Sequence, residues 1–398
     1  MTFLWWEGNQ AGMMKIAVDI RGSQPGFKDH LHRGIGRFVL GLAPYLPGLM
    51  TNVDLYYLID AGLPMPKMEI PENVKIVPCG KNLPSIGKFE IIRTQFSVRW
   101  KLLGIKPDIT LFFCHEDGLL FWPRSAVFVH DLIPYNFPEL YGINQFRRKT
   151  KIRLVRKIAI SSELIFTVSE SSRKDIERFW EVPQSRISVV YEAIDTEKFA
   201  CQNADRIEKI KSKYDLPRKY FLYVGGIDAR KNVPILLDAY ARIVEHLDDA
   251  GLVIAGKIDR QKEYPALLKR IAALGLSDRI FLPGFIDDAE LPAVYSGAEV
   301  TVFPSLYEGF GLPALESLAC GTPLVASRRS AIPEVAGDIA VYCDVESSED
   351  LAAAMKRALS DKSIKERFKI EGPVQAKKFS WDKVASDVAK GLGNLLAR

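Results

Sequence analysis

The chain has 398 residues, 47% hydrophobic and 26% charged, with a formal net charge of +5. That length suits two cores better than one, and the composition belongs to a folded globular protein rather than a disordered one. So small a charge excludes nucleic acid as an implied partner, and no apolar run is long enough to span a bilayer.

The opening MTFLWWEGNQAGM lacks the basic start and apolar core of a signal peptide. It reads as an extension ahead of a first strand at Met14, and the expected location is the cytoplasm. Short β-branched runs then alternate with helical patterns. KIAVDI comes first, followed by the helical stretch GRFVLGLAPYL and the runs VDLYYLI, VKIVPC, DITLFFC and SAVFVHD. A basic helical stretch, FRRKTKIRLVRKIAI from Phe146 to Ile160, leads to LIFTVSE and ISVVYEA. The polar segment TEKFACQNADRIEKIKSKYDLPRK predicts no strand, which puts a junction near Ala200 to Arg218. Beyond it the rhythm restarts with YFLYVGG, GLVIAG, RIFLPG, VTVFPS, PLVAS and IAVYCD.

Apolar runs bounded by glycine and followed by helices mark parallel sheets covered on both faces. The expected fold is therefore α/β, with two doubly wound Rossmann-like domains facing across a cleft. The boundaries read as residues 14–205 for the first domain and 206–378 for the second. Residues 379–398 read as a helix packing back on the first domain. Five cysteines, Cys79, Cys114, Cys201, Cys320 and Cys343, show no C-x-x-C pair. They read as buried thiols of a reducing compartment, in neither zinc sites nor disulfides.

The chemistry concentrates in FPSLYEGFGLPALESLACGTPLVAS, Phe303 to Ser327. Pro313 predicts a helix start directly after GFGL, because its missing N–H costs nothing there. Exposed N–H groups at a helix start favour phosphate, and Gly309 and Gly311 let the backbone approach a ligand closely. Glu316 is expected in the first helical turn and Glu308 in the loop, both facing one ligand. Carboxylates accept paired hydrogen bonds from vicinal hydroxyls, so a sugar nucleotide answers the whole pattern with ribose, diphosphate and hexose. The bland alternative leaves Glu316 complementing the helix dipole and Glu308 in solvent. That alternative does not explain the glycines.

A diphosphate leaving group needs positive charge. YVGGIDARKNVPILLDAY supplies it, with a strand ending in Gly225-Gly226 and then Arg230 and Lys231 ahead of a helix. The chain contains no D-x-D spacing, so protein charge and the helix start are expected to stand in for a divalent metal.

These motifs resemble the retaining glycosyltransferases of family 4, which have the GT-B fold. The match rests on E-GFGLPAL-E, the flanking FPS and ACGTPLVAS, G-x(5)-K-N at Gly225 to Asn232, and PGF at Pro283 to Phe285. In the first half it rests on RGIGRF at Arg33 to Phe38, VHDLIP at Val129 to Pro134, and VSESS at Val168 to Ser172. The resemblance implies that Glu316 holds the ribose hydroxyls. It implies that Glu308, with the backbone of Gly309, Phe310, Gly311 and Leu312, holds the donor hexose and diphosphate. Arg230 and Lys231 would neutralise the leaving phosphates beside Gly226, and Gly284 with Phe285 would meet the base. His130, at its strand end, would meet the donor sugar beside the acceptor, with Asp131 orienting its ring. Gly34 and Gly36 would let the opposite domain close over the diphosphate. The chain departs from the family pattern in two places: Gly226 stands where many members carry Arg, and Glu192-Ala193 where many have Asn-Gly.

The resemblance implies a hexosyltransferase of cell-surface polysaccharide or lipopolysaccharide assembly. It would use a GDP- or UDP-sugar donor, GDP-mannose first, and a saccharide or lipid-linked saccharide acceptor, with no metal and no other cofactor. The basic run at Phe146 to Ile160 reads either as a solvated helix face or as a contact with anionic lipid at the inner face of a membrane. Two rival readings share the fold: a sugar-nucleotide 2-epimerase, and a subunit that binds nucleotide sugar without catalysis. A nicotinamide dehydrogenase fits poorly, because RGIGRF lacks the third glycine at the right step.

Overall fold

Successive residues of a strand point to opposite faces of its sheet. In β1 (Met14–Asp19), Ile16 and Val18 lie in one buried apolar cluster and Ala17 in another. A sheet with apolar side chains on both faces needs cover on both, which is why its strands read as near-continuous apolar runs. The computed structural model describes residues 13–28, 34–80, 90–142, 146–247 and 249–397. The extension read ahead of Met14, all but Met13, and Arg33 of RGIGRF lie outside them.

The chain divides into two units. One ends at Ala193 and also takes in the segment from Trp381; the other runs from Ile194 to Ser380. The first unit adds β2 (Val53–Asp60), β3 (Lys75–Cys79), β4 (Ile109–Phe112), β5 (Ser125–Phe128), β6 (Leu164–Thr167) and β7 (Ile187–Val189). They form a parallel sheet in the order β3-β2-β1-β4-β5-β6-β7. Ile16 pairs with Leu55 on one side and Ile109 on the other. The amphipathic helix Trp381–Leu396 closes one face, with Val384, Val388 and Leu392 in the same cluster as Ile16. Trp381 stacks edge-on to Phe38, and a Cβ on Gly41 would stand 2.1 Å from its ring.

The second unit holds β8 (Lys219–Val224), β9 (Ala250–Ala255), β10 (Ile280–Gly284), β11 (Val300–Phe303), β12 (Leu324–Ser327) and β13 (Val341–Cys343). Its order is β10-β9-β8-β11-β12-β13, again parallel throughout. Both units are thus Rossmann-like and doubly wound, and each strand falls on one of the apolar runs read from the sequence. The polar segment after the first sheet contains a helix, Ala204–Tyr214, capped by Asn203. It belongs to the second unit, where Arg206 bonds the Ala289 carbonyl and Lys213 pairs with Glu290.

Strand order reverses between β8 and β11, and doubly wound sheets bind ligands outside the strand carboxyl ends at such a point. Here those ends are stepped together by glycine. Gly225 N–H donates to Ala255 O, and Gly256 N–H donates to Gly284 O. Gly256 has φ 151°, and a Cβ there would lie 2.2 Å from the Gly225 carbonyl oxygen. No other residue fits. Four cysteines are buried thiols as read, but Cys201 is exposed. It sits in the irregular stretch before Ala204, where no sheet or helix covers it.

Candidate active site

β8 ends at Val224, and the chain then turns through Gly225 and Gly226. Gln261 braces that turn, its Oε1 accepting from Ile227 N–H at 2.7 Å while its Nε2 donates to Lys257 O. A Cβ on Gly226 would meet the Gln261 amide at 3.2 Å. A short turn, Ala229–Lys231, follows, and Asn232 in the left-handed region (φ 59°) opens the helix Val233–Ala241. The Asn232 side chain donates to the Val345 carbonyl, which anchors the turn. Lys231 is thereby turned inward, with only 8% of its surface exposed.

The opposite wall of this site is the segment after β11. Leu306 N–H donates to Arg230 O at 2.7 Å, tying the two loops together. Glu308, 7% exposed, accepts from Lys231 Nζ at 2.6 Å and from Arg230 Nη1 at 3.0 Å. Arg230 also donates to Tyr307 O, and its Nε lies 3.1 Å from Asp228 Oδ1. Lys231 Nζ sits 5.5 Å above the ring of Phe303, the last residue of β11. Glu308 N–H donates to Ser330 Oγ, and Ser330 itself has φ 49°.

Burial alone would raise the Glu308 carboxyl pKa, but the charges of Lys231 and Arg230 outweigh it and hold the group below its ordinary value. One carboxylate is shared between two cations here. Burial, together with repulsion from Arg230, leaves Lys231 with a lowered pKa despite the Glu308 pair. An anion placed at this cluster would relieve that deficit of negative charge.

Gly311 (φ 115°) caps the helix Leu312–Ala319, which has Pro313 as its second residue. The strongly positive φ is the conformation only glycine takes without strain. Phe310 is buried at 4% and packs edge-on against Phe379, so its ring is a packing group and only its backbone faces the turn's chemistry. Glu316 is not in the first turn, as the sequence led one to expect. It is the fifth helical residue, 2% exposed, and Tyr295 Oη donates to it at 2.8 Å. The dipole-complement reading of Glu316 falls with that position, because the effect fades beyond the first turn. Gly284 (φ 75°) ends β10 with open space where a Cβ would stand. Phe285 beside it is half exposed, with Lys257 Nζ 4.5 Å from its ring centre.

In the first unit, His130 follows β5. Nε2 lies 3.0 Å from the Phe113 carbonyl, and Nδ1 lies 3.3 Å from Glu192 Oε1. Both partners only accept, so whichever ring nitrogen bears the proton donates to the partner it faces. Phe128 and Phe38 enclose the ring, at centroid distances of 5.8 and 5.3 Å. Asp131 does not orient this ring. Its Oδ1 accepts from Ile133 N–H instead, opening a short helix. Glu192, 8% exposed, does the orienting. Sequence reading missed that partnership, although Glu192 stood out as a departure from the family pattern. Gly34 opens the helix Gly34–Leu42 with open space around it, and Gly36 is buried two residues on. Among the described residues no cluster of His, Cys, Asp or Glu has the make-up of a metal site.

Two doubly wound parallel units, with a buried Lys–Glu–Arg cluster at the strand carboxyl ends of the second, define the GT-B class of fold. HepE from Anabaena, solved in complex with UDP and glucose, has this fold. It superposes with a TM-score of 0.69 at 16% identity, over 96% of this chain and 100% of that one. A profile described as Glycosyl transferases group 1 matches residues 205–375, and one described as Glycosyltransferase Family 4 matches residues 32–198.

The chain belongs to the family 4 glycosyltransferases, and is by family a transferase. The O-antigen chain mannosyltransferase B of Escherichia coli is 33% identical over 268 residues, covering 65% of this chain and 67% of that protein. The serotype-specific mannosyltransferase WbdA of Escherichia coli is 31% identical over 312 residues, 74% of this chain. The match spans 38% of WbdA's own length.

Proposed function

We propose that this chain transfers mannose from GDP-mannose, with retention, to a saccharide or lipid-linked saccharide acceptor in cell-surface polysaccharide assembly. The observation that carries the reading is the buried Lys231–Glu308–Arg230 cluster beside the GFGLP turn. Mannose as the sugar is supported by the two mannosyltransferase relatives. GDP as the nucleotide is the proposal's own choice over UDP. Neither the epimerase nor the binding-only reading has a specific observation in its favour.

In this mechanism the donor diphosphate lies against Lys231 and Arg230, with the backbone N–H groups at Gly309, Phe310, Gly311 and Leu312 on its other side. As the glycosidic bond breaks, negative charge grows on the departing phosphate oxygen. A fixed cation there stabilises the transition state more than the ground state. Glu308 keeps the two cations aligned and meets the hexose. Glu316 takes the ribose hydroxyls, and Gly284-Phe285 meet the base. His130, held by Glu192 and the Phe113 carbonyl, contacts the donor sugar or the acceptor.

Lys231 and Arg230 do the work a divalent metal does elsewhere, so transfer proceeds without one. The acceptor side is proposed to work in the cytoplasm at a membrane surface, met by the basic helix Phe146–Ser161. Among the described residues no helix is long and apolar enough to cross a membrane.

The test is a thermal-shift panel of GDP-, UDP- and ADP-sugars followed by transfer assays in excess EDTA, since ligand that binds only the native state raises its Tm. GDP-mannose should give the largest shift, and transfer should persist in EDTA. A larger shift with a UDP-sugar refutes the donor, and a strict need for Mg²⁺ or Mn²⁺ refutes the charge-replacement mechanism.

A further inference from the structure

The helix Glu90–Ile105 buries Val98 and Leu102 in the core and turns Phe96, Trp100 and Leu103 outward. Their exposures are 69%, 78% and 56%. Steps of four and three residues keep these side chains on one side of a helix, so they form a stripe rather than three scattered contacts. The neighbouring loop adds to it. Gln95 Nε2 donates to Gly118 O, Gln95 Oε1 accepts from Leu120 N–H, and Arg99 Nη2 donates to Leu120 O. These bonds lay the loop along the helix edge, where Phe121 stands 75% exposed.

Beside the loop runs the helix Phe146–Ser161. Phe121 N–H donates to Ser161 Oγ at 3.4 Å, and Lys151 pairs with Glu116 at 2.9 Å. This second helix holds seven basic residues and no acidic one. Lys149, Arg153 and Lys157 are exposed on it, as are Lys101 on the first helix and Arg124 on the loop. The acidic groups nearby, Glu116 and Glu163, accept from Lys151 and from Arg124 N–H.

We propose that the stripe Phe96, Trp100, Leu103 and Phe121, flanked by Lys149, Arg153 and Lys157, is a docking face for an anionic phospholipid surface. The inference rests on the proposed membrane setting and names the residues that enter the lipid. Aromatic rings favour the boundary between headgroups and acyl chains. Basic side chains next to them meet the negative potential of the lipid phosphates. Stable surface binding generally needs two such signals together, and this face supplies both. A second copy of the chain is the poorer occupant, because two such cationic faces would repel.

The full chain would be sedimented with phosphatidylglycerol-containing vesicles and with phosphatidylcholine vesicles, at low and high salt. The native chain should bind the anionic vesicles, more weakly as salt rises. The double variant Phe96→Ser/Trp100→Ser should lose binding on the order of tenfold or more at either salt. Lys149→Ser/Arg153→Ser/Lys157→Ser should lose binding to anionic vesicles and most of the salt dependence. Brominated acyl chains should quench the native fluorescence more than that of Trp100→Phe, which keeps the fold. If Phe96→Ser/Trp100→Ser binds anionic vesicles like the native chain, the stripe is overturned while the membrane setting stands. If no vesicle binds the native chain and Trp100→Ser dissolves a native dimer, the face is a self-association surface and the membrane setting falls with it.

Discussion

Two glutamates of one motif, with seven residues between them, end up in different surroundings. Glu308, in the loop, is gripped by two cations. Glu316, in the helix, meets the neutral phenol of Tyr295. The first carboxylate is a counter-ion that sets the geometry of Lys231 and Arg230. The second accepts from a neutral hydroxyl and suits hydroxyl donors. Spacing alone made them look like a matched pair; burial and partners separate them.

The largest test of that contrast is Glu308→Ala. It leaves Lys231 buried without its carboxylate partner, and breaking one side of a buried pair costs about 3–5 kcal/mol. Denaturant unfolding should show that loss at neutral pH. The folded-state pKa of Glu308 lies below its ordinary 4.5. Its contribution is therefore present above that value and lost as pH falls through the folded pKa, so native and variant should converge in acid. A gap that stays constant down to the acid transition would mean that Glu308 is not the ion-paired group described.

Glu316→Ala should show its largest effect in ligand binding. Loss of its ribose contacts predicts nucleoside diphosphate binding weaker by about 1.5–3 kcal/mol, roughly ten- to hundredfold, by calorimetry. In the same titration Glu308→Ala, which leaves both cations in the chain, should keep its affinity nearly intact. Equal losses in the two variants would erase the distinction between them.

Tyr295→Phe is the smallest of the three. Removing one hydrogen bond to Glu316 predicts a drop of about 0.5–1.5 kcal/mol in nucleotide affinity, with turnover at saturating donor close to native. An effect as large as that of Glu316→Ala would make Tyr295 itself a ligand contact.

The strands were legible because β-branched runs ending in glycine or turn residues leave few other readings. The two ends of the GFGLP turn and the Arg230-Lys231 pair were legible for a similar reason, since glycine and charge together have few uses. What stayed hidden are partners from distant loops. Tyr295 lies 21 residues before Glu316, Ser330 lies 22 after Glu308, and Glu192 lies 62 after His130. No local pattern links such residues; the parallel topology brings them together. Glu192 had one visible signal, its place in a position where the family pattern has Asn. Asp131, adjacent in sequence, was the easier guess for the ring's partner, but its carboxylate is spent on the next helix.

The central claim is that Lys231 stabilises the departing diphosphate, and single-turnover transfer with Lys231→Ala tests it most directly. Arg230 still pairs with Glu308 in that variant, so the fold should survive, which circular dichroism would check. Turnover should fall on the order of a hundredfold or more, the scale of losing one preorganised charge stabiliser. Lys231→Arg should recover little, because a planar fork does not fill the place of a compact ammonium. Transfer at a near-native rate by folded Lys231→Ala would contradict the account.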